Sequence, residues 1–215
     1  MSVRAVMISI RPQWCALIAD GKKTLEVRKS KPKIEMPFKC YIYCTKDKSK
    51  LFWTGKRYSY TDDHSHNAFD KAGNGKIIGE FVCDNIDTYD DDTIFSFRHE
   101  DYARWNDFDL NRACIHPEDF QNYADGKWLY GWHISDLKIY DQPKELSEFC
   151  IEDKSAIKMC EHRFRTGQAE DVARHGGWLQ GGFICMKSEE PEWCESCLSK
   201  PLTRSPQSWC YVEGL

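Results

Sequence analysis

The sequence has no apolar run long enough to cross a membrane, and its first residues carry no hydrophobic leader stretch. That excludes a spanning helix, and a cytoplasmic protein with no membrane partner is expected. It also has little net charge. The 30 Lys+Arg and 34 Asp+Glu leave −4, which on the whole-chain value argues against a polyanion partner. A second C-x-x-C is missing as well. Cys194-Glu195-Ser196-Cys197 stands alone, and no strand-then-helix pattern frames it, which argues against a thioredoxin-like redox motif.

What is present is enough for a core. Of the 215 residues, 41% are hydrophobic, and 11 Phe, 10 Tyr and 8 Trp exclude a disordered composition. The length fits one domain, or one domain with an appendage. The small net charge hides a segregation along the chain. Residues 1–60 hold 14 Lys/Arg against 4 Asp/Glu, residues 61–126 hold 5 against 16, and residues 127–215 hold 11 against 14. A basic N-terminal segment can be the electrostatic footprint of a phosphate backbone. The alternative is mutual neutralisation of the basic and acidic thirds across the fold.

The most informative stretch runs from Val6 to Arg28. Val6–Ile10 reads as a strand, and Pro12 suits the first position of a helix with Trp14, Leu17 and Ile18 on one face. Gly21 can take the positive φ that ends it. Thr24 to Arg28 then alternate as a strand, with Leu25 and Val27 on the core face and Thr24, Glu26 and Arg28 on the other. A carboxylate beside a guanidinium, with Lys23 at the mouth, is either a solvated charge pair or a binding motif.

Further along, Phe38–Cys44 is a strand after a loop over 29–37. Residues 46–74 interleave Lys48, Lys50, Lys56 and Arg57 with aromatics, among them Trp53 and Tyr58. That pattern suits phosphate contact with base stacking, or a flap packing its aromatics inward. Gly75–Asp87 reads as one strand, Gly79 marking a bulge or close approach, and Asp87–Asp92 as an acidic loop. Residues 99–126 are helical in character, with a start at His116-Pro117 and an end at Asp125-Gly126. Trp128–Ile134 is a strand that continues through Leu137–Tyr140. Trp132 and His133 point to opposite faces, His133 being a structural histidine before it is a general base. Cys15, Cys40, Cys44 and Cys83 lie in apolar patterns and read as buried small hydrophobes.

The run "ISIRPQWCALIADGKKTLEVR" resembles the start of ASCH domains, members of the PUA-like superfamily. Their G-x-K-x-x-E-x-R motif is matched by Gly21, Lys23, Glu26 and Arg28. The resemblance returns in "GWHISDLKIYDQPKEL", and the last residues, 201–215, are similar to the closing segment of prophage-associated relatives. It implies an α+β fold, a PUA-like mixed β-barrel with flanking helices over 1–149. Residues 150–200 form a small irregular cysteine-bearing appendage, and 201–215 return to the barrel. It implies a cleft that binds RNA or other nucleic acid, or a modified nucleotide. Lys23, Glu26 and Arg28 would line it, Arg11 and Lys22 would contact phosphates, and Trp53 or Tyr58 would stack.

Two other functions are open. Some small relatives hydrolyse acetylcytidine, and Lys23 with Glu26 would be the catalytic candidates here. Glu26, however, stands where the family's threonine nucleophile falls, so binding without catalysis is the favoured reading. The other is a protein-interaction module of prophage origin. No organic cofactor is expected. A structural zinc is a candidate, on Cys194 and Cys197 with Cys150 and Cys160, because residues 150–200 are too polar to fold on apolar burial alone.

Overall fold

In a computed structural model the described residues are 4–46, 51–53, 58–60, 73–96, 109–152, 163–165, 183–185 and 199–214. Chain contacts separate two compact units, Met1–Leu146 with Arg204–Gly214, and Ser147–Thr203. The class is α+β, as expected. Among the described residues, no helix is long and apolar enough to cross a membrane.

The larger unit begins with β1 (Arg4–Ile10), α1 (Pro12–Ala19), β2 (Leu25–Arg28), β3 (Phe38–Cys44), β4 (Leu51–Trp53) and β5 (Tyr58–Tyr60). It continues with β6 (Ile77–Cys83), β7 (Ile86–Tyr89), α2 (Asp91–Ser96), α3 (Asp109–Ala113), α4 (Pro117–Ala124), β8 (Leu129–His133) and β9 (Ser135–Lys144). The smaller unit holds β10 (Cys150–Glu152), β11 (Arg163–Arg165), β12 (Phe183–Cys185) and β13 (Ser199–Pro201), paired β10 with β13 and β11 with β12. The last strand, β14 (Trp209–Glu213), returns to the larger unit and runs antiparallel to β1.

Among the described residues, two larger sheets and the β4–β5 pair build the larger unit. One has the order β14-β1-β3-β6-β9, with β1 and β3 parallel; the other is β2-β8-β7, antiparallel throughout. The first core lies on one face of the five-stranded sheet. Val6, Ile8, Ile10, Cys40, Ile42, Ile78, Phe81 and Trp132 pack there with Cys15 and Ile18 of α1. Ile78 and Phe81 are three apart yet share this face. The register jumps from Ile42↔Gly79 to Tyr43↔Ile77, so Ile78 is an extra residue and shifts the alternation. Gly79 sits where β9 comes closest: a Cβ there would lie 2.5 Å from the Lys138 carbonyl oxygen.

The second core joins the small sheet to its helices through Leu25, Val27, Tyr89, Ile94, Leu110, Phe120 and Leu129. Tyr89 and Phe120 meet edge to face at 5.4 Å. Leu25 and Val27 thus face the helices. Glu26 and Arg28 face the other way, directly opposite Trp132 and Tyr130, toward the first core.

Four sequence expectations change. The strand read as continuing from Trp128–Ile134 through Leu137–Tyr140 is two, β8 in the three-stranded sheet and β9 in the five-stranded one. The strand proposed over Gly75–Asp87 is two strands, broken at Asp84-Asn85, since β6 and β7 belong to different sheets. The acidic run Asp87–Asp92 is not a loop: Asp87 is in β7, Asp90 accepts hydrogen bonds from Thr93 N and Oγ1 (2.9 and 2.6 Å), and α2 begins at Asp91. In α1 the buried stripe is Cys15, Ala16 and Ile18, with Trp14 and Leu17 only partly covered. The helix start at His116 holds, its ring accepting from Glu118 N at 3.4 Å.

Candidate nucleotide-binding cleft

The cleft forms where β1 ends and α1 starts. Pro12 sets the first turn of α1, Gly21 turns the chain at φ 71° after its last turn, and β2 follows at once. The loop between helix and strand is held by Lys22 and Lys23 backbone N–H groups donating to the Leu17 carbonyl (2.9 and 3.0 Å). Lys23 is therefore delivered beneath β2 instead of into solvent.

Its ammonium is 5% exposed and donates to the carbonyls of Leu25 (2.9 Å) and Ala113 (2.6 Å), the latter 90 residues away on α3. It also lies 3.4 Å from Glu26 Oε2. Glu26, 6% exposed, pairs through Oε1 with Arg28 Nη2 at 3.0 Å, and that Nη2 donates to the Ser9 carbonyl at 2.5 Å. Burying three charges is costly unless each finds partners, and here most are found. Two atoms are not satisfied: Glu26 Oε2 and Arg28 Nε are buried without a hydrogen-bond partner. The Lys23 contact is an ion pair outside hydrogen-bonding geometry. Unpaired buried polar atoms are few in native proteins and call for an explanation.

These residues line a cavity of about 490 Å³. Ser9, Ile10 and Arg11 form one side, Thr45 and the tail residues Gln207 and Ser208 another, and Trp14 and Tyr123 are its aromatic walls. Trp14 is steadied by the Lys23 ammonium 5.2 Å from its ring centroid. Tyr123 is 37% exposed; desolvation raises its phenol above the ordinary range, while the neighbouring Arg28 pulls the other way. The tail is fixed by Ser9, whose N–H donates to the Ser208 carbonyl (2.8 Å) and whose Oγ donates to the Pro206 carbonyl (2.6 Å).

Of the predicted site residues, Arg11, Lys23, Glu26 and Arg28 meet at this cleft. Lys22 does not line it; its side chain is 67% exposed and pairs with Asp20 at 3.6 Å. Trp53 and Tyr58 pair across the β4–β5 hairpin, whose backbone lies against α1, but their side chains are outside the described residues. Trp14 and Tyr123 were missed as walls. Trp14 had read as core because it shares a helical face with Leu17 and Ile18. Tyr123 had no signal beyond its place one turn before a helix end. Glu26 is not a solvated charge: it lies at the base of the cleft, because the non-helix face of β2 is opposed by the first core.

His133 takes no part. It bonds Asp87 Oδ2 through Nε2 (2.7 Å) and lies 3.7 Å from Asp84 Oδ1, joining β8 to the β6–β7 turn. Cys160, Cys194 and Cys197 are outside the described residues, and Cys150 is a half-buried free thiol. Among the described residues, no group of three His, Cys, Asp or Glu could hold a metal ion.

No protein-family model matches the sequence, and no curated protein does. Solved structures do match. The ASCH protein of Zymomonas mobilis aligns with a TM-score of 0.43 and 18% identity, over 76% of this chain and 83% of that one. Two single-residue variants of it align at the same TM-score, with 16% and 18% identity, over 76% and 77% of this chain and 86% and 84% of theirs. These structural neighbours are ASCH proteins.

Proposed function

We propose that the larger unit binds a nucleotide of RNA or another single-stranded nucleic acid, one base entering the cleft. The observation that supports this most is a pair of buried atoms on cleft-lining residues that make no hydrogen bond: Glu26 Oε2, which has only its ion pair with Lys23, and Arg28 Nε. A ligand that completes both atoms donates one hydrogen bond and accepts another from neighbouring positions, as the edge of a nucleobase does. The cavity suits a single heterocycle, and Trp14 and Tyr123 offer stacking surface. Arg11, exposed at the N-terminus of α1 and making no cap bond of its own, suits the phosphate. The motif's family resemblance points the same way.

The hydrolytic alternative draws less support. The Lys23 ammonium donates to two carbonyls and is ion-paired with Glu26, which suits a fixed cation better than a proton-transferring group. Thr24 Oγ1 accepts from Arg112 Nε at 3.4 Å.

Titration of wild type with the four nucleoside monophosphates tests the reading. Glu26→Gln replaces one acceptor-only carboxylate by an amide and is expected to weaken the preferred nucleotide by at least ~10-fold, the worth of a hydrogen bond to a charged group. Absence of binding by wild type to every monophosphate, each presented up to millimolar concentration, refutes it. For the smaller unit we propose the structural zinc on Cys150, Cys160, Cys194 and Cys197. Metal analysis of purified protein should find one zinc per chain, lost in Cys194→Ser; a metal-free folded protein refutes it.

A further inference from the structure

In the loop that leaves the cleft, Lys29-Ser30-Lys31-Pro32-Lys33-Ile34, exposure alternates from Lys31 on. Lys31 and Lys33 are exposed, while Pro32 is buried and Ile34 packs onto the first core. The residue before a proline is biased to extended backbone, so the lysine side chains are set outward. Among the described residues none of the three lysines has a carboxylate within ion-pair distance, although the chain carries 34 Asp+Glu. The loop is also tied down. Trp209 Nε1 donates to Ser30 Oγ (3.0 Å), and Lys33 N donates to the Tyr211 hydroxyl (2.6 Å). Lys29 Nζ sits 5.3 Å from the Tyr123 ring centroid, and Lys31 Nζ 5.2 Å from that of Tyr130. Tyr123 is the cleft wall and Tyr130 is the strand partner of Arg28.

From this we infer that Lys29, Lys31 and Lys33 form a rail for the phosphates that flank the base in the cleft, so that the ligand is a single strand running out over this loop and not a free nucleotide. The inference rests on the cleft reading above and adds the path and the polymer. Its physics is pre-organisation. Lys29 and Lys31, already held over rings, lose little freedom when a phosphate arrives, and a cation over an aromatic face keeps its outer N–H groups for a second partner; Lys33 is placed by its backbone bond to the Tyr211 hydroxyl. An acidic peptide would meet the same charges but has no base for Glu26 and Arg28.

The test compares Lys31→Gln/Lys33→Gln with Lys138→Gln/Lys144→Gln. The latter is a matched control, its two lysines lying over the Tyr140 ring on β9. Anisotropy of a labelled eight-nucleotide single strand is read against salt, with the preferred monophosphate titrated alongside. Loss of two phosphate contacts lowers the salt slope by ~1.4 and weakens the strand about 20-fold near 0.1 M salt. The control pair should change the strand less than about 3-fold, and neither pair should alter monophosphate binding. Equal losses in both pairs, or an unchanged slope in the first, overturn the rail. So does a poly-glutamate peptide that binds where the strand does not. A strand bound through Lys31 and Lys33 with no monophosphate bound by wild type would instead sink the cleft reading and leave the rail standing.

Discussion

Lys22 and Lys23 are neighbours in sequence, and the structure gives their ammonium groups opposite standing. The decisive perturbation is Lys23→Met, which keeps most of the side-chain volume and removes the charge. It takes a donor from the Leu25 and Ala113 carbonyls and a counter-charge from Glu26. Breaking a buried pair from one side costs about 3–5 kcal/mol, because the partner charge stays buried. Glu26 keeps Arg28 at 3.0 Å, so the lower end applies, ~3 kcal/mol. For a unit of this size that is a fall in Tm of roughly 6–12 °C. Lys22→Met, at a side chain 67% exposed, should stay within ~0.5 kcal/mol of wild type. Urea unfolding followed by circular dichroism reads both. Lys23→Met/Glu26→Gln should cost less than the two single changes together, with a coupling of ~1 kcal/mol or more. A Lys23→Met protein within ~1 kcal/mol of wild type, or strictly additive changes, would show that water reaches this ammonium and that Glu26 is not held as argued.

Gly79→Ala puts a Cβ 2.5 Å from a backbone oxygen of β9, and the strands must part; a loss of about 1–3 kcal/mol is expected, and an unchanged unfolding midpoint would refute the close approach. Burial holds the Cys83 thiol up at about 12, so its thiolate at pH 8 is scarce and native alkylation should run about a thousand-fold slower than for a free cysteine; mass spectrometry after an iodoacetamide pulse checks this, and prompt labelling of Cys83 refutes it. Cys15 and Cys40, also raised by burial, should be protected alongside it. Asp90 is lowered by its hydrogen bonds from Thr93. Its contribution is therefore present above about pH 4, the unfolded value, and is lost as pH falls through the folded one. Asp90→Ala should lower Tm at pH 7, and the difference should shrink as pH falls below the unfolded value; a difference that does not depend on pH would refute this role.

Much of the order of elements could be read from the residues because local rules settle it. Pro12 and Gly21 bound α1, His116-Pro117 starts a helix that Asp125 ends at φ 49°, and Phe38–Cys44 carries Phe38, Tyr41, Ile42 and Tyr43, residues that favour strands. The four cysteines in apolar patterns are buried, and the aromatic tail pairs with β1. Alternation also set Glu26 and Arg28 on one face and Leu25 and Val27 on the other.

What alternation cannot say is what lies across from a face. Glu26 is buried because Trp132 stands opposite it and the five-stranded sheet closes over that side. Lys23 is a buried cation because a carbonyl 90 residues away comes within 2.6 Å. Trp14 and Tyr123 become walls of one cleft only after helix and strand have docked. Side-chain period is a property of the backbone and is written locally. Burial, ion pairing and the walls of a cavity depend on contacts between distant segments, and those exist only once the sheets have packed.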